Sequence, residues 1–194
     1  MMVTPRLDRS NIIAFIAGIF ERRGAESYLG EAVTMAQHML QGAVLAERDG
    51  APEELVAAAL LHDIGHYTSE FGTLSLGDVR DNYHEAAGAA VLEPFFPTVI
   101  TECVRLHVPA KRYLCATDAG YYGRLSEASK HTLSLQGGPM SEAEVAAFET
   151  NPYYREAVRV RIWDDDGKDP GMATPPFRYY VPLLQRVVDS QSAT

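Results

Sequence analysis

The run Leu60-Leu61-His62-Asp63-Ile64-Gly65-His66 sets two adjacent strong metal ligands, and a second imidazole four residues after the first, at the end of an apolar segment. Neighbouring residues of a helix point about 100° apart, so His62 and Asp63 converge on one point only where a helix ends beside a pocket. Taken alone, the same residues also suit a helix C-terminus, where imidazolium charge complements the dipole. Further donors shift that balance. His38 lies on a stripe with Glu31, Met35, Gly42 and Leu45, where the glycine would leave space, and His84 and His107 fall at expected helix ends. Asp164 follows Ile162-Trp163 at the close of an amphipathic segment. Six nitrogen and oxygen donors with no thiolate among them suit iron, manganese, zinc or cobalt. They exceed the needs of one metal, and an aspartate can bridge, so the chemistry implied is a metal pair about 3.5–4 Å apart.

Helices must position these side chains, because apolar residues recur at helical spacing throughout and strand patterns are absent. The spacing predicts helices from about Arg9 to Arg23, Gly30 to Asp49 and Pro52 to near Gly65, then a loop from Tyr67 to Val79. It predicts further helices from His84 to about Glu93, and from Pro97 to a break at Pro109. Others run from Ser126 to Leu135, behind the capping box Ser141-x-x-Glu144, and from Asn151-Pro152 to about Asp164. A last helix opens at Pro175-Pro176, with Pro182 kinking it or marking its true start. The expected fold is all-α, one domain spanning 1–194.

Composition bounds what such a domain can do. Seventeen basic residues against 26 acidic ones give a net charge of −9, which argues against nucleic acid or an anionic membrane as partner. The two cysteines, Cys103 and Cys115, form no CxxC pair and exclude a thiolate zinc site. Ile12 to Phe20 is apolar, but Glu21-Arg22-Arg23 follows it instead of a cleavage site, so it reads as a first helix. No stretch reaches the roughly 20 apolar residues that span a bilayer. These features point to a cytoplasmic protein and leave its oligomeric state open.

The ordered set His38, His62-Asp63, His84, His107 and Asp164 resembles the HD-domain superfamily. Four further segments sharpen the likeness: Tyr28-Leu29-Gly30-Glu31, His107-Val108-Pro109-Ala110-Lys111-Arg112-Tyr113-Leu114, Gln136-Gly137-Gly138-Pro139-Met140 and Arg161-Ile162-Trp163-Asp164. Together they resemble the mixed-valent di-iron oxygenases of that superfamily that cleave the carbon–phosphorus bond of 1-hydroxy-2-aminoethylphosphonates. The resemblance implies an HD-domain helical bundle with two iron ions, Fe(II)/Fe(III). His38, His62, Asp63 and Asp164 would hold one iron, His84 and His107 the other, with Asp63 bridging. Lys111, Ser129 and Arg161 would grip the phosphonate with His66 beside them, and Tyr28 and Glu31 would form a gating pair whose glutamate turns toward the substrate's cationic nitrogen.

The implied partners are a small phosphonate and O2, with no nucleic acid and no membrane. The preferred substrate is (R)-1-hydroxy-2-(trimethylammonio)ethylphosphonate, giving glycine betaine and phosphate. Tyr67, Phe71 and Tyr83 are the aromatic faces expected to receive its quaternary nitrogen. The unmethylated amine, giving glycine, is the alternative within the same chemistry. A metal-dependent phosphohydrolase acting on a nucleotide or phosphoester is the competing enzyme class. Cys103 reads as core packing, and His131 as structural or surface.

Overall fold

Helix α3 (Glu53–Leu61) is apolar on every side, and Leu55 through Leu61 are all buried, as a helix must be when neighbours cover each of its faces. The computed structural model describes residues 6–68 and 80–191. Around α3 pack α2 (Met35–Arg48), α6 (Thr98–Thr117), α10 (Tyr154–Asp166) and α11 (Val181–Ser190). Helix α1 (Ile12–Arg23) lies against α2 and α11, and α5 (His84–Leu92) joins α6 to the one-turn helix α4 (Gly65–Thr68). Short helices α7 (Tyr121–Arg124), α8 (Glu127–Leu135) and α9 (Glu142–Glu149) follow α6. The principal core joins Ile12 and Ile16 of α1, Met35 and Met39 of α2, and α3 to Ile100, Val104, Trp163 and Leu184. Among the described residues there is no strand, only an isolated bridge between Ser27 and Thr34, and the fold is all-α. No helix of the described residues is long and apolar enough to cross a membrane.

Three boundaries differ from the sequence expectation. Helix α2 starts at Met35 rather than Gly30, because Leu29 (φ 45°) and Gly30 (φ 79°) adopt left-handed backbone and turn the chain. Thr34 then caps the helix in a reciprocal box with Gln37, so Glu31 precedes α2 and does not share its stripe. Gly42, expected to leave space beside His38, is filled by packing: a Cβ there would lie 3.1 Å from the Ala59 carbonyl of α3.

Helix α6 also continues past Pro109. A proline inside a helix costs about 3 kcal/mol through its missing N–H and its ring clash. Burial on both sides of it offsets that: Val104, His107, Val108, Ala110 and Lys111 are all covered, with α3, α5 and α10 packed on the helix. His107 is therefore mid-helix, and Lys111 continues the same helix one turn on. The third difference is at Tyr67, which belongs to α4 and not to a loop.

Gly65 lets the two halves of the molecule meet. A Cβ on it would sit 1.7 Å from the His84 carbonyl oxygen and 2.7 Å from the Gly88 nitrogen, both backbone atoms of α5 that cannot swing aside. Gly65→Ala is expected to destabilise the fold by about 3 kcal/mol through overpacking, lowering Tm by roughly 6–12 °C. Gly123→Ala, where nothing lies within 4 Å, serves as the control. Equal melting temperatures for the two variants would refute the close-approach argument.

Candidate metal centre

Each histidine of the centre is fixed by its outer nitrogen. His38 donates Nδ1–H to the Gly167 carbonyl (2.9 Å), His62 to that of Ala59 (2.8 Å) and His107 to that of Val104 (2.7 Å). His84 Nδ1 lies 3.1 Å from Asn82 Oδ1. A carbonyl oxygen can only accept, so all four rings carry hydrogen on Nδ1 and turn Nε2 inward. These come from α2, the α3 terminus, α5 and α6, and α10 adds Asp164.

The inward nitrogens form two pairs. His38 and His62 Nε2 are 3.0 Å apart, and His84 and His107 Nε2 are 3.1 Å apart. Asp63 stands between the pairs, with Oδ2 3.4 Å from His38 and 3.5 Å from His62, and Oδ1 3.3 Å from His84 and 3.4 Å from His107. Asp164 Oδ1 lies 3.4 Å from His38. Two donor sets result, His38-His62-Asp164 and Asp63-His84-His107, all buried.

These sets fit metal ions. Lone pairs facing each other at 3.0–3.1 Å repel unless a cation or a proton lies between them. Asp63 Oδ2 and Asp164 Oδ1 are buried and accept no hydrogen bond. A buried carboxylate oxygen left so is costly, and a bound cation removes the cost. Burial alone would raise Asp63 and Asp164, but His62 and His66 around the first and Arg161 beside the second hold both well below the usual carboxylate range. Both are thus anionic ligands.

A pocket opens onto the centre. Its anticipated walls are Tyr28, His66, Lys111, Ser129 and Arg161. Tyr28 stacks on His38 with ring centroids 3.9 Å apart. Lys111 is buried and donates to Thr132 Oγ1 at 2.8 Å. Burial pushes its ammonium down to about 7, with Arg161 adding to the effect and Asp164 and Asp165 opposing it. Arg161 reaches the pocket with its nitrogens already engaged: Nη1 on Asp164 Oδ2 (2.7 Å), Nη2 on Asp165, and Nε on Tyr121 (3.1 Å).

Of the remaining residues singled out in the sequence, none among the described residues lines this pocket. Glu31 does not line this pocket, although its Oε1 is buried without a hydrogen-bond partner. Tyr67 carries the Arg23 guanidinium 4.6 Å over its ring, Tyr83 is 58% exposed, and neither lines the pocket. Phe71 lies outside the described residues. Cys103 is core, as expected, and His131 lies on α8 away from the donor sets.

Sequence reasoning missed several neighbours of the site. Thr132 and Gln136 line the pocket, and both ends of the buried Gln136 amide lack partners. Lys168 donates to Ser129 Oγ at 3.1 Å and stands 4.0 Å from Asp164 Oδ1. For Thr132 the available signal was its place one turn after Ser129 on the same helix, and for Lys168 its place four residues after Asp164.

Comparisons with known proteins agree with this geometry. A family model described as HD domain matches residues 35–164, which span every proposed ligand. The chain is 61% identical over 184 residues to a [1-hydroxy-2-(trimethylamino)ethyl]phosphonate dioxygenase (glycine-betaine-forming) of Leisingera caerulea, covering 95% of this chain and 94% of that one. It is 46% identical over 156 residues to a hydroxymethylphosphonate dioxygenase of Gimesia maris, covering 80% and 78%. With the family model matching most of its length and its histidines and aspartates gathered in the order that first suggested it, the chain belongs to the HD-domain family.

Proposed function

We propose that this chain is a non-haem di-iron oxygenase that uses O2 to cleave the carbon–phosphorus bond of (R)-1-hydroxy-2-(trimethylammonio)ethylphosphonate, giving glycine betaine and phosphate. One observation carries the reading: Asp63 presents one oxygen to each of two imidazole pairs, in a chain 61% identical to a relative named for that reaction. The two relatives' substrates share a hydroxyl and phosphorus on one carbon. That shared unit is what the centre and the pocket wall must recognise.

His38, His62, Asp63 and Asp164 would hold one iron, and Asp63, His84 and His107 the other. When bound, the Fe(II)/Fe(III) pair supplies O2 activation and Lewis acidity toward the substrate hydroxyl. Lys111, Ser129, Thr132 and Gln136 bind the phosphonate oxygens, and the buried, unpartnered Gln136 amide supplies a donor. Arg161 holds Asp164 Oδ2, which leaves Oδ1 for metal, and adds positive charge to the anion wall. Tyr28 roofs the first imidazole pair and excludes water. Burial, with Asp63 and Asp164 adding to it, raises its phenol and keeps it neutral. Glu31 follows in the same turn, its N–H bonded to the Tyr28 carbonyl at 2.7 Å, so displacing the tyrosine carries the carboxylate with it toward the ammonium. We place the enzyme in the cytoplasm, a reading supported by two free cysteines, one of them buried in the core.

The unmethylated substrate giving glycine is the second reading, because Glu31 can accept hydrogen bonds from a primary ammonium. A phosphohydrolase is the third.

The test is anaerobic reconstitution with Fe(II), followed by O2 and each hydroxyphosphonate, with phosphate and carboxylate product measured. Glycine betaine and phosphate are expected in equal amounts and only with O2. Oxygen-independent phosphate release from phosphoesters would overturn the reading. His107→Ala is expected to retain at most one metal per chain and to lose turnover; two retained metals would remove His107 from the ligand set. Lys111 adds a pH dependence. Burial lowers its folded value from the ordinary lysine 10.5 to about 7, so the ammonium that meets the phosphonate is present below that pH and lost above it. The substrate KM should therefore rise between pH 7 and 9 by up to about tenfold per unit. In Lys111→Arg the profile should flatten, since arginine stays charged; an unchanged slope would refute the role of Lys111.

A further inference from the structure

His66 and His84 stack face to face, ring centroids 4.0 Å apart at 11°, yet only His84 belongs to a metal donor set. The buried amide of Asn82 touches both rings at Nδ1. We propose that Asn82 is a positioning residue that holds these two imidazoles in opposite tautomers, so that His84 offers a bare Nε2 to a metal while His66 offers Nε2–H to an anionic substrate oxygen.

The backbone decides which end of the amide faces which ring. The His84 N–H lies 3.3 Å from Asn82 Oδ1, and a backbone N–H can only donate. The carbonyl end of Asn82 therefore faces His84 and the amino end faces away. Oδ1 is also 3.1 Å from His84 Nδ1, which must carry hydrogen to donate to it. That leaves His84 Nε2 bare, and it is the nitrogen turned toward Asp63 Oδ1 at 3.3 Å.

At the other end, Asn82 Nδ2 lies 3.5 Å from His66 Nδ1. An amide NH2 can only donate, so His66 Nδ1 is the acceptor and its hydrogen resides on Nε2. His66 Nε2 points to the same side as its neighbour, 3.7 Å from Asp63 Oδ1, and the ring lines the pocket. Two parallel imidazoles of the same residue type thus do different chemistry, one as a ligand and one as a donor. A single amide makes the distinction. As a donor, His66 cannot take a proton from substrate at Nε2, so its role is to bind and orient. The tautomers follow from geometry alone; only the identity of the anion as a phosphonate rests on the proposed function.

The test is long-range 1H–15N correlation on the full chain labelled with 15N-histidine, loaded with Zn(II) so that the spectra stay sharp, with His66 assigned from the signal lost in His66→Gln. The expected result is Nδ1–H at His84 and Nε2–H at His66; Nδ1–H at His66 overturns the proposal without recourse to a variant. Asn82→Asp keeps the oxygen that accepts both hydrogen bonds from His84 and replaces the donor toward His66 by an acceptor. It should keep two metals and the His84 pattern, convert His66 to Nδ1–H, and raise the phosphonate KM about tenfold or more with a smaller change in kcat. An unchanged His66 pattern and KM in that variant also overturn it. Should the tautomers be as stated while O2 and hydroxyphosphonates yield no phosphate, the substrate reading falls and the role of Asn82 stands.

Discussion

A carboxylate buried between two imidazole pairs is the constraint from which this structure follows. Asp63 is 2% exposed, and one of its oxygens accepts no hydrogen bond, a position no isolated carboxylate would occupy. Four imidazoles and Asp164 must reach it from separate helices. The arrangement of α2, α3, α5, α6 and α10 is the packing that brings them there. Helix α3 is apolar on all sides because its end must lie at the middle of the molecule. Gly65 has no side chain because the backbone of α5 occupies the space where one would be. Backbone carbonyls of Ala59, Val104 and Gly167 hold the rings from behind, so the ligands are oriented by main chain rather than by flexible side chains.

The cations around the pocket are not equivalent. Arg161 is committed to Asp164 and Asp165, and its charge is largely used in keeping those carboxylates ionised and in place. Lys111 is held by a neutral hydroxyl, so its charge is available to a ligand. Lys168 stands between these extremes, bonded to Ser129 with carboxylates at 3.8 and 4.0 Å. A chain of net charge −9 can therefore still receive a dianion, because the attraction required is confined to one wall and the metal sites.

Much of this was legible from residue types and order. The six donors needed no geometry to be suspected, since each has an ordinary explanation singly but six together at the ends or inner faces of apolar helices do not. What was misread were the places where local rules compete with tertiary packing. Pro109 looked like a stop, and the buried face of α6 overrode it. Glu31 fitted a helical stripe, but the left-handed pair Leu29-Gly30 and the cap at Thr34 removed it from that helix. Thr34-Met35-Ala36-Gln37 is itself a capping-box signature and could have marked the true start. Asn82 and Gln136 were beyond sequence reasoning for another reason. A polar amide is ordinary in a sequence, and only its burial beside the metal donors and the pocket gives it significance.

His107 and Lys111 stand one turn apart on an unbroken helix, a rise of about 6 Å. A helix under this much packing does not stretch, so it acts as a fixed gauge between the metal side of the pocket and its anion side. A molecule whose oxygen and anionic group are spaced otherwise cannot satisfy both marks at once. Tyr28 and Leu29 also line the pocket, from a turn that sets no such measure. Under the proposed function, selection would then be strict at the hydroxyphosphonate end and permissive beyond it. The names of the two relatives differ in that part alone: one substrate carries a trimethylamino arm, the other has no arm at all.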